Sequence, residues 1–580
     1  MNESEKRFDL FLNNVDRKNE YILLAFLASL SFILQLWFTL SGRHLLSNDD
    51  AYYYFEVAKN FPVLHQLSFD GFHLTNGVQP LYAAVLCGIS WVLHGFELSD
   101  ESLALTFLSV NVLFNVVAAL GFFKWGRKLG SKSYGWLLFI GFSYGSFVLR
   151  HQLIGMENSL YCMMIALCAP FMLSILDDSE VFRGKKSVLV GLLVGLLFLT
   201  RVDSILFILV VGLWALVKHR YRMRKLVGEL AVVGAVSFFV VLPYLAYNVV
   251  FFDHLFPISG AVKLYYSEQF ATSKFGGMFT PGYLLFAAEK FIELPEELLS
   301  RFTESLLSWL LGSRYFLQIF FDSLSVVSRI AFFILPGAVL VFWMLLKWFR
   351  VPLKVWRSAF VEAVAPLRPL LPLFIFALLQ MVVCTIMYPT FVRYSGVDWW
   401  FMPGHVSVVM VVSAILNGLL LADFRSEQKA TWKYVALAVL IAFNSVGYIH
   451  VKTIKEKGST SVSYQEAKYH AAKWINANLP EGAVVGSFNA GIVGFYSERP
   501  VVNLDGLINN FEYLEAMKNG EVYEYIVRNN IDYIAEYQAK SRKLPRGTFR
   551  GIPISGIVYS EKFDYPENSV YIIVKVTRPD

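Results

Sequence analysis

YILLAFLASLSFILQLWFTL, residues 21–40, is 20 residues long and carries no charged side chain, and the chain then turns to NDDAYYYFEVAKNF, residues 48–61. As a helix the first stretch rises about 30 Å, the thickness of a bilayer's hydrocarbon core. It is too long for the apolar core of a cleavable signal peptide. The polar, mixed-charge residues 1–20 therefore read as a cytoplasmic tail leading into a true membrane span, with the acidic stretch opening the first outer loop.

Further runs with few or no charges follow at 103–123, 134–149, 159–176, 187–200, 204–217, 230–252, 330–346, 370–392, 402–422 and 434–449, which makes eleven candidate spans. Several fall short of the roughly 20 residues that a perpendicular helix needs, so they borrow flanking residues or lie where the bilayer is thinned or protein-lined. Composition agrees. Of the 580 residues 56% are hydrophobic and only 17% charged, against about 25% charged in a soluble domain. An ordinary soluble protein is excluded, and so is a disordered chain, whose composition could not offset the ordering entropy. Cys87, Cys162, Cys168 and Cys384 all sit inside apolar runs, so neither a disulfide framework nor a cysteine metal site is indicated.

Positive charge sets the orientation. Basic clusters at 6–18, 124–132, 183–186, 218–225, 347–368 and 425–433 all fall on one side, the inner one, if the eleven runs alternate from an internal N-terminus. That parity requires residues 78–94 not to cross, so they are placed as a helix lying at the outer surface or dipping into it. The long outer connection 253–329 contains 286–311, with acidic and apolar residues at helical spacing; amphipathic surface helices or a further hairpin of two spans both fit, the latter giving thirteen spans. From about Val451 the composition changes to 16 Lys and Arg against 15 acidic residues, with a helical pattern at 465–476 and short apolar strands at 483–486 and 501–504. The expected architecture is a polytopic α-helical membrane protein of 11 to 13 transmembrane helices. Residues 1–450 form its membrane domain, with outer loops 41–102 and 253–329, and residues 451–580 a soluble extracytoplasmic α/β domain. Its balanced charge offers no basic face for nucleic acid.

Chemistry concentrates in the outer loops. A helix starting at Asp49 places Asp49, Tyr52, Tyr53 and Glu56 on one face, since residues three and four apart are neighbours. Capping by Asn48 or Asp49 is the structural alternative. Carboxylates beside hydrocarbon are costly, and Asp49 and Asp50 can supply a general base or ligands for a divalent cation. Glu157, after the third span, lies at the same face. Arg201 and Asp203 share a third outer turn, where an ion pair would close the turn. Outer cations are few: Arg150, Arg201, Lys263 and Arg393. Lys263 follows Leu255-Phe256-Pro257-Ile258-Ser259-Gly260, read as an irregular exit from a span.

Residues 48–61, Leu74-Thr75-Asn76-Gly77-Val78-Gln79-Pro80-Leu81-Tyr82, Gly155-Met156-Glu157 and Leu199-Thr200-Arg201-Val202-Asp203 together resemble the GT-C superfamily of membrane glycosyltransferases, of the ArnT, protein-mannosyltransferase and arabinofuranosyltransferase type. Residues 479–486 and 499–506 resemble a recurring segment of bacterial members. Gln79 departs from the histidine often found there. The resemblance implies a GT-C-like fold in a bacterial inner membrane and transfer of a sugar from a polyprenyl-phosphate donor to a glycan, lipid or protein acceptor on the extracytoplasmic side, with inversion. It implies Asp49 as base, Asp50 and Glu157 beside it, and Tyr53, Asn76 and Gln79 as substrate contacts. Lys263, Arg201 and Arg393 are the candidate cations for the donor phosphate. Metal dependence stays open, because Asp49, Asp50 and Glu157 suit either a Mg or Mn ion or a metal-free reaction. A transporter or flippase for a lipid-linked or anionic solute, and a non-catalytic assembly scaffold, are the alternatives.

Overall fold

The computed structural model describes residues 17–40, 49–130, 132–145, 149, 153–174, 185–219, 221, 223–294, 361, 365–388, 399–423, 464–538, 545–563 and 569–579. The helical part comprises α1 (Arg17–Leu40), α2 (Asp49–Leu64), α3 (Pro80–Leu93), α4 (Asp100–Leu129), α5 (Lys132–Tyr144), α6 (Asn158–Ser174), α7 (Lys185–Thr200), α8 (Ile205–Lys218), α9 (Met223–Phe252), α10 (Ile258–Phe275), α11 (Leu371–Met387) and α12 (Met402–Asp423). Among the described residues, four helices are long and apolar enough to cross a membrane, at Glu20–Trp37, Asp100–Leu129, Leu226–Phe252 and Ala365–Met387. Other expected spans appear as shorter helices, and the runs 330–346 and 434–449 lie outside the described residues.

Sequence explains where these helices begin and end. Ser99 caps α4, its hydroxyl accepting from the Ser102 N–H at 3.2 Å, and Asp100 and Glu101 in the first turn face Arg127 and Lys128 in the last. That arrangement complements the helix dipole at both ends. Pro80 opens α3, where its missing N–H is no loss. At 14 residues α3 rises about 21 Å, short of a bilayer core. Helix α9 leaves Phe239 69% and Val250 73% exposed, side chains that fit a lipid surroundings better than water.

One group of polar side chains inside the bundle pairs across three helices. Gln35 on α1 donates to Ser31 Oγ at 2.8 Å and to the Ser143 carbonyl at 3.1 Å, and its own oxygen accepts from Asn115 of α4 at 2.8 Å. These bonds fix the register of α1, α4 and α5 where no water could satisfy the amides.

One sequence expectation is corrected here. Lys263 does not lie on an irregular exit. Pro257, at φ −67, sits at the N-cap of α10, and the helix runs unbroken from Ile258 through Gly260 to Phe275. The proline reads as a helix start because its fixed φ suits the position before the first turn.

The C-terminal part begins with α13 (Tyr464–Asn478) and contains α14 (Gly491–Tyr496), α15 (Phe511–Asn519) and α16 (Val522–Arg528). Its strands are β1 (Val484–Ser487), β2 (Val501–Asn503), β3 (Ile531–Gln538), β4 (Thr548–Phe549), β5 (Ile552–Phe563) and β6 (Ser569–Val576), in the order β2-β1-β3-β6-β5-β4. Strands β2, β1 and β3 run parallel, while β6 and β5 continue the sheet antiparallel. The parallel half buries both faces, as the fully buried Val485, Val502 and Ile534 require.

This unit docks on the ends of α2 and α4. Lys59 bonds the Phe495 carbonyl at 2.9 Å and Asp100 at 2.8 Å, and Tyr469 donates to Glu101 at 3.0 Å. Gly491 is needed for the close approach, because a Cβ there would stand 2.0 Å from the Asp49 carbonyl oxygen.

Candidate active site

Helix α2 separates the two adjacent aspartates. Asp49 turns toward the C-terminal unit: the Gly491 and Ile492 N–H groups donate to its two oxygens at 3.2 and 3.1 Å, and Lys468 Nζ lies 2.9 Å away. Lys468 is fully buried and Asp49 is 5% exposed. Tyr52, on the same side, packs on Phe495 and Tyr496 at centroid distances of 5.4 and 5.6 Å. The expected grouping of Asp49, Tyr52, Tyr53 and Glu56 on one helix face agrees with the helix over Asp49–Leu64. Asp49, Tyr52 and Tyr53 of that face meet the C-terminal unit, and Glu56 is held by Asn60 one turn on.

Asp50 lies one position round the helix, three and four residues from Tyr53 and Tyr54, so Tyr53 stands between the two aspartates. Burial, then the neighbouring Asp49 charge, pushes Asp50 up to about 6, while Lys263 pulls it down. Tyr53 donates to Asp505 Oδ2 at 2.9 Å and accepts from Asn503 at 3.2 Å. Tyr54 donates to Glu157 Oε2 at 3.1 Å and accepts from the Gln79 N–H at 3.2 Å.

Glu157 reaches this point from the turn before α6. Gly155 has φ +85, and a Cβ there would lie 2.9 Å from that of Ala51, so the turn needs glycine twice over. Arg201 bridges two acids: its Nη1 donates to Glu157 at 2.8 Å, and its Nε and Nη2 grip Asp203 at 3.2 and 3.0 Å. The ion pair expected within the turn is present, and Glu157 extends it. With two carboxylates on one guanidinium, Arg201 has no net positive charge to offer an anion. Asp203 is itself held by Gln380 of α11, which also bonds the Trp400 carbonyl.

Lys263, in the second turn of α10, places Nζ 4.1 Å from the Trp400 ring centroid, a cation–π distance. Burial lowers its pKa, against the pull of Asp50 and Glu157. From the C-terminal unit comes Asp505, raised to about 7 by burial and by Asp50, and anchored by the Leu507 N–H and Tyr53. Polar side chains thus meet between the helix ends and the loop after β2, where Asp50, Lys263 and Asp505 are the ionisable groups outside the Arg201 cluster among the described residues.

The substrate contacts divide. Tyr53 lies at this junction, between Asp505 and Asn503. Asn76 does not face it: its amide donates to Asn248 at 3.1 Å and accepts from the Ile258 N–H at 2.9 Å, so it fixes the start of α10. Gln79 keeps a buried Oε1 that takes no hydrogen bond from the described residues. Arg150 and Arg393 lie outside them. Asp49, Asp50 and Glu157 do not converge, since the first is tied to Lys468 and the last to Arg201, and among the described residues no three such side chains close on one point. Lys468, Asp505, Gln380 and Trp400 were not singled out by sequence. Asp505 lies within 499–506, which the family resemblance touched, but Lys468 had no signal beyond its place in a helical pattern.

A family model described as a domain of unknown function, DUF8728, matches residues 458–574. No curated protein matches. The chain is similar in structure to an oligosaccharyltransferase of Archaeoglobus fulgidus, solved in complex with zinc and sulfate (13% identity, TM-score 0.46, covering 88% of this chain and 67% of that one). The apo form of the same enzyme gives 14% identity and a TM-score of 0.47, covering 88% and 69%.

Proposed function

We propose that this chain transfers a sugar from a polyprenyl-phosphate donor to a hydroxyl-bearing acceptor in the cleft between its helix ends and its C-terminal unit, with Asp50 as the general base. The observation that carries this is that Asp50, a carboxyl raised to about 6, and the half-buried Lys263 beside Trp400 are near enough for each charge to act on the other. Attack of an acceptor oxygen on the sugar's anomeric carbon releases a proton and a phosphate at once. A carboxylate takes the first, and an ammonium in a low-dielectric site stabilises the second. Displacement in one step inverts the carbon and needs no covalent enzyme intermediate.

Asp49, the base implied by resemblance, gives way to Asp50 in this reading because Lys468 and two N–H groups hold its carboxylate against the C-terminal unit. Arg201 serves as a positioning residue that holds Glu157 and, through it, Tyr54. The vacant lone pairs of Gln79 Oε1 suit a sugar or acceptor hydroxyl.

Lys263→Met tests the anion side. It keeps most of the apolar stem and removes the ammonium, so donor turnover in a purified system is expected to fall about 10- to 150-fold, the worth of a charged hydrogen bond. The pH profile adds a second readout. A base must be ionised, so transfer is lost as pH drops through about 6. Because Lys263 lowers the Asp50 pKa, its removal moves that acid limb to higher pH, whereas Lys263→Arg leaves it near the wild-type position. An acid limb that stays put in Lys263→Met would show that the two groups do not act together.

A further inference from the structure

The helix ends remote from Asp50 enclose a cavity, about 950 Å³ in volume, bounded by α4, α6, α8 and the start of α11. Helix polarity places it. Asp100 and Glu101 of α4 meet the C-terminal unit, whereas Lys128, at the cavity, is in the last turn of the same 30-residue helix, about 40 Å away. Helix α8 starts beside Asp203 and ends at Lys218. Gln380 of α11 bonds Asp203, while Arg368 precedes that helix. Three cations from three separate elements thus rim one cavity, and among the described residues that line it none is acidic.

Its walls are otherwise apolar and include the indoles of Trp125 and Trp214. From the cations an exposed stripe runs back along α8: Val217 is 75%, Leu213 62% and Leu209 53% exposed, at four-residue intervals. We propose that this cavity binds an anionic phospholipid from the leaflet opposite Asp50. Its phosphate sits among Lys128, Lys218 and Arg368, and an acyl chain lies along the α8 stripe. Charge complementarity argues for an anionic headgroup, and the continuous apolar stripe argues for a lipid over a free anion. Basic pockets between helix ends, flanked by tryptophan at the interface, have the chemistry to hold such a headgroup.

Native mass spectrometry of the full chain in detergent, titrated with phosphatidylglycerol or with phosphatidylcholine of the same acyl chains, tests this. Wild type is expected to bind one phosphatidylglycerol at least about 30-fold tighter than phosphatidylcholine. The triple variant Lys128→Gln, Lys218→Gln, Arg368→Gln is expected to lose roughly 100-fold in phosphatidylglycerol affinity, about fivefold per cation. The charge-keeping set Lys128→Arg, Lys218→Arg, Arg368→Lys retains it. Each single Gln variant shows the fivefold loss if the triple fails to fold. Equal binding of the two lipids, or unchanged binding in the Gln variants, overturns the proposal. So does displacement of phosphatidylglycerol by stoichiometric polyprenyl phosphate but not by other anionic phospholipids, which would make the occupant a carrier lipid.

Discussion

Asp50→Asn is expected to lower sugar transfer about 100- to 10,000-fold, the usual worth of a general base, with unfolding temperature and donor affinity close to wild type. The asparagine keeps the shape of the side chain and still reaches the cleft, but it cannot take a proton from the acceptor. Asp505→Asn, by contrast, removes a carboxyl that is anchored by Tyr53 and the Leu507 N–H, so its effect falls on acceptor placement and appears mainly in KM. Steady-state kinetics on both variants, with a polyprenyl-phosphate sugar and a purified protein, separates the two. Near wild-type kcat in Asp50→Asn would remove the base from this position.

The face of α2 that carries Asp50 could not be chosen from sequence. Asp49 and Asp50 are adjacent, both precede the same tyrosines, and helical spacing gives each of them aromatic neighbours. What separates them is a tertiary contact: Lys468 and the Gly491 and Ile492 N–H groups, more than four hundred residues along the chain, claim Asp49. Periodicity reports on one element at a time, so a partner supplied by another element stays invisible to it. Contacts within a turn were legible for the same reason. Arg201 and Asp203 stand two residues apart in a short turn, and their ion pair needs nothing but that turn. The α/β character of the C-terminal part was readable from its short strands, because β1 and β2 are largely buried and each opens on a pair of valines. Pro257 misled in the opposite direction. A proline before Ser259 and Gly260 suggests irregular chain, yet proline is also a good residue to precede a helix, and only the downstream packing of Ile258 and Val262 against the C-terminal unit settles it.

The Asp49–Lys468 pair is expected to control stability rather than turnover. Lys468 is fully buried, and the pair lies where α2 meets α13 and α14. Removing one member of such a pair strands the other charge in a low-dielectric interface, which typically costs about 3–5 kcal/mol. Asp49→Asn strands the ammonium, and Lys468→Met strands a carboxylate that keeps two N–H donors, so the first is expected to be the more damaging. Both should lower the unfolding temperature and speed proteolysis of the C-terminal unit. The double variant Asp49→Asn, Lys468→Met leaves no unpaired charge in that contact, so most of the loss is regained, with a coupling energy of about 1–3 kcal/mol in a double-mutant cycle. Transfer in Asp49→Asn then declines in step with the fraction of protein whose C-terminal unit is undocked, and it recovers in the double variant. A fully folded, normally docked Asp49→Asn whose turnover is as low as that of Asp50→Asn, with no recovery in the double variant, would return the base to Asp49.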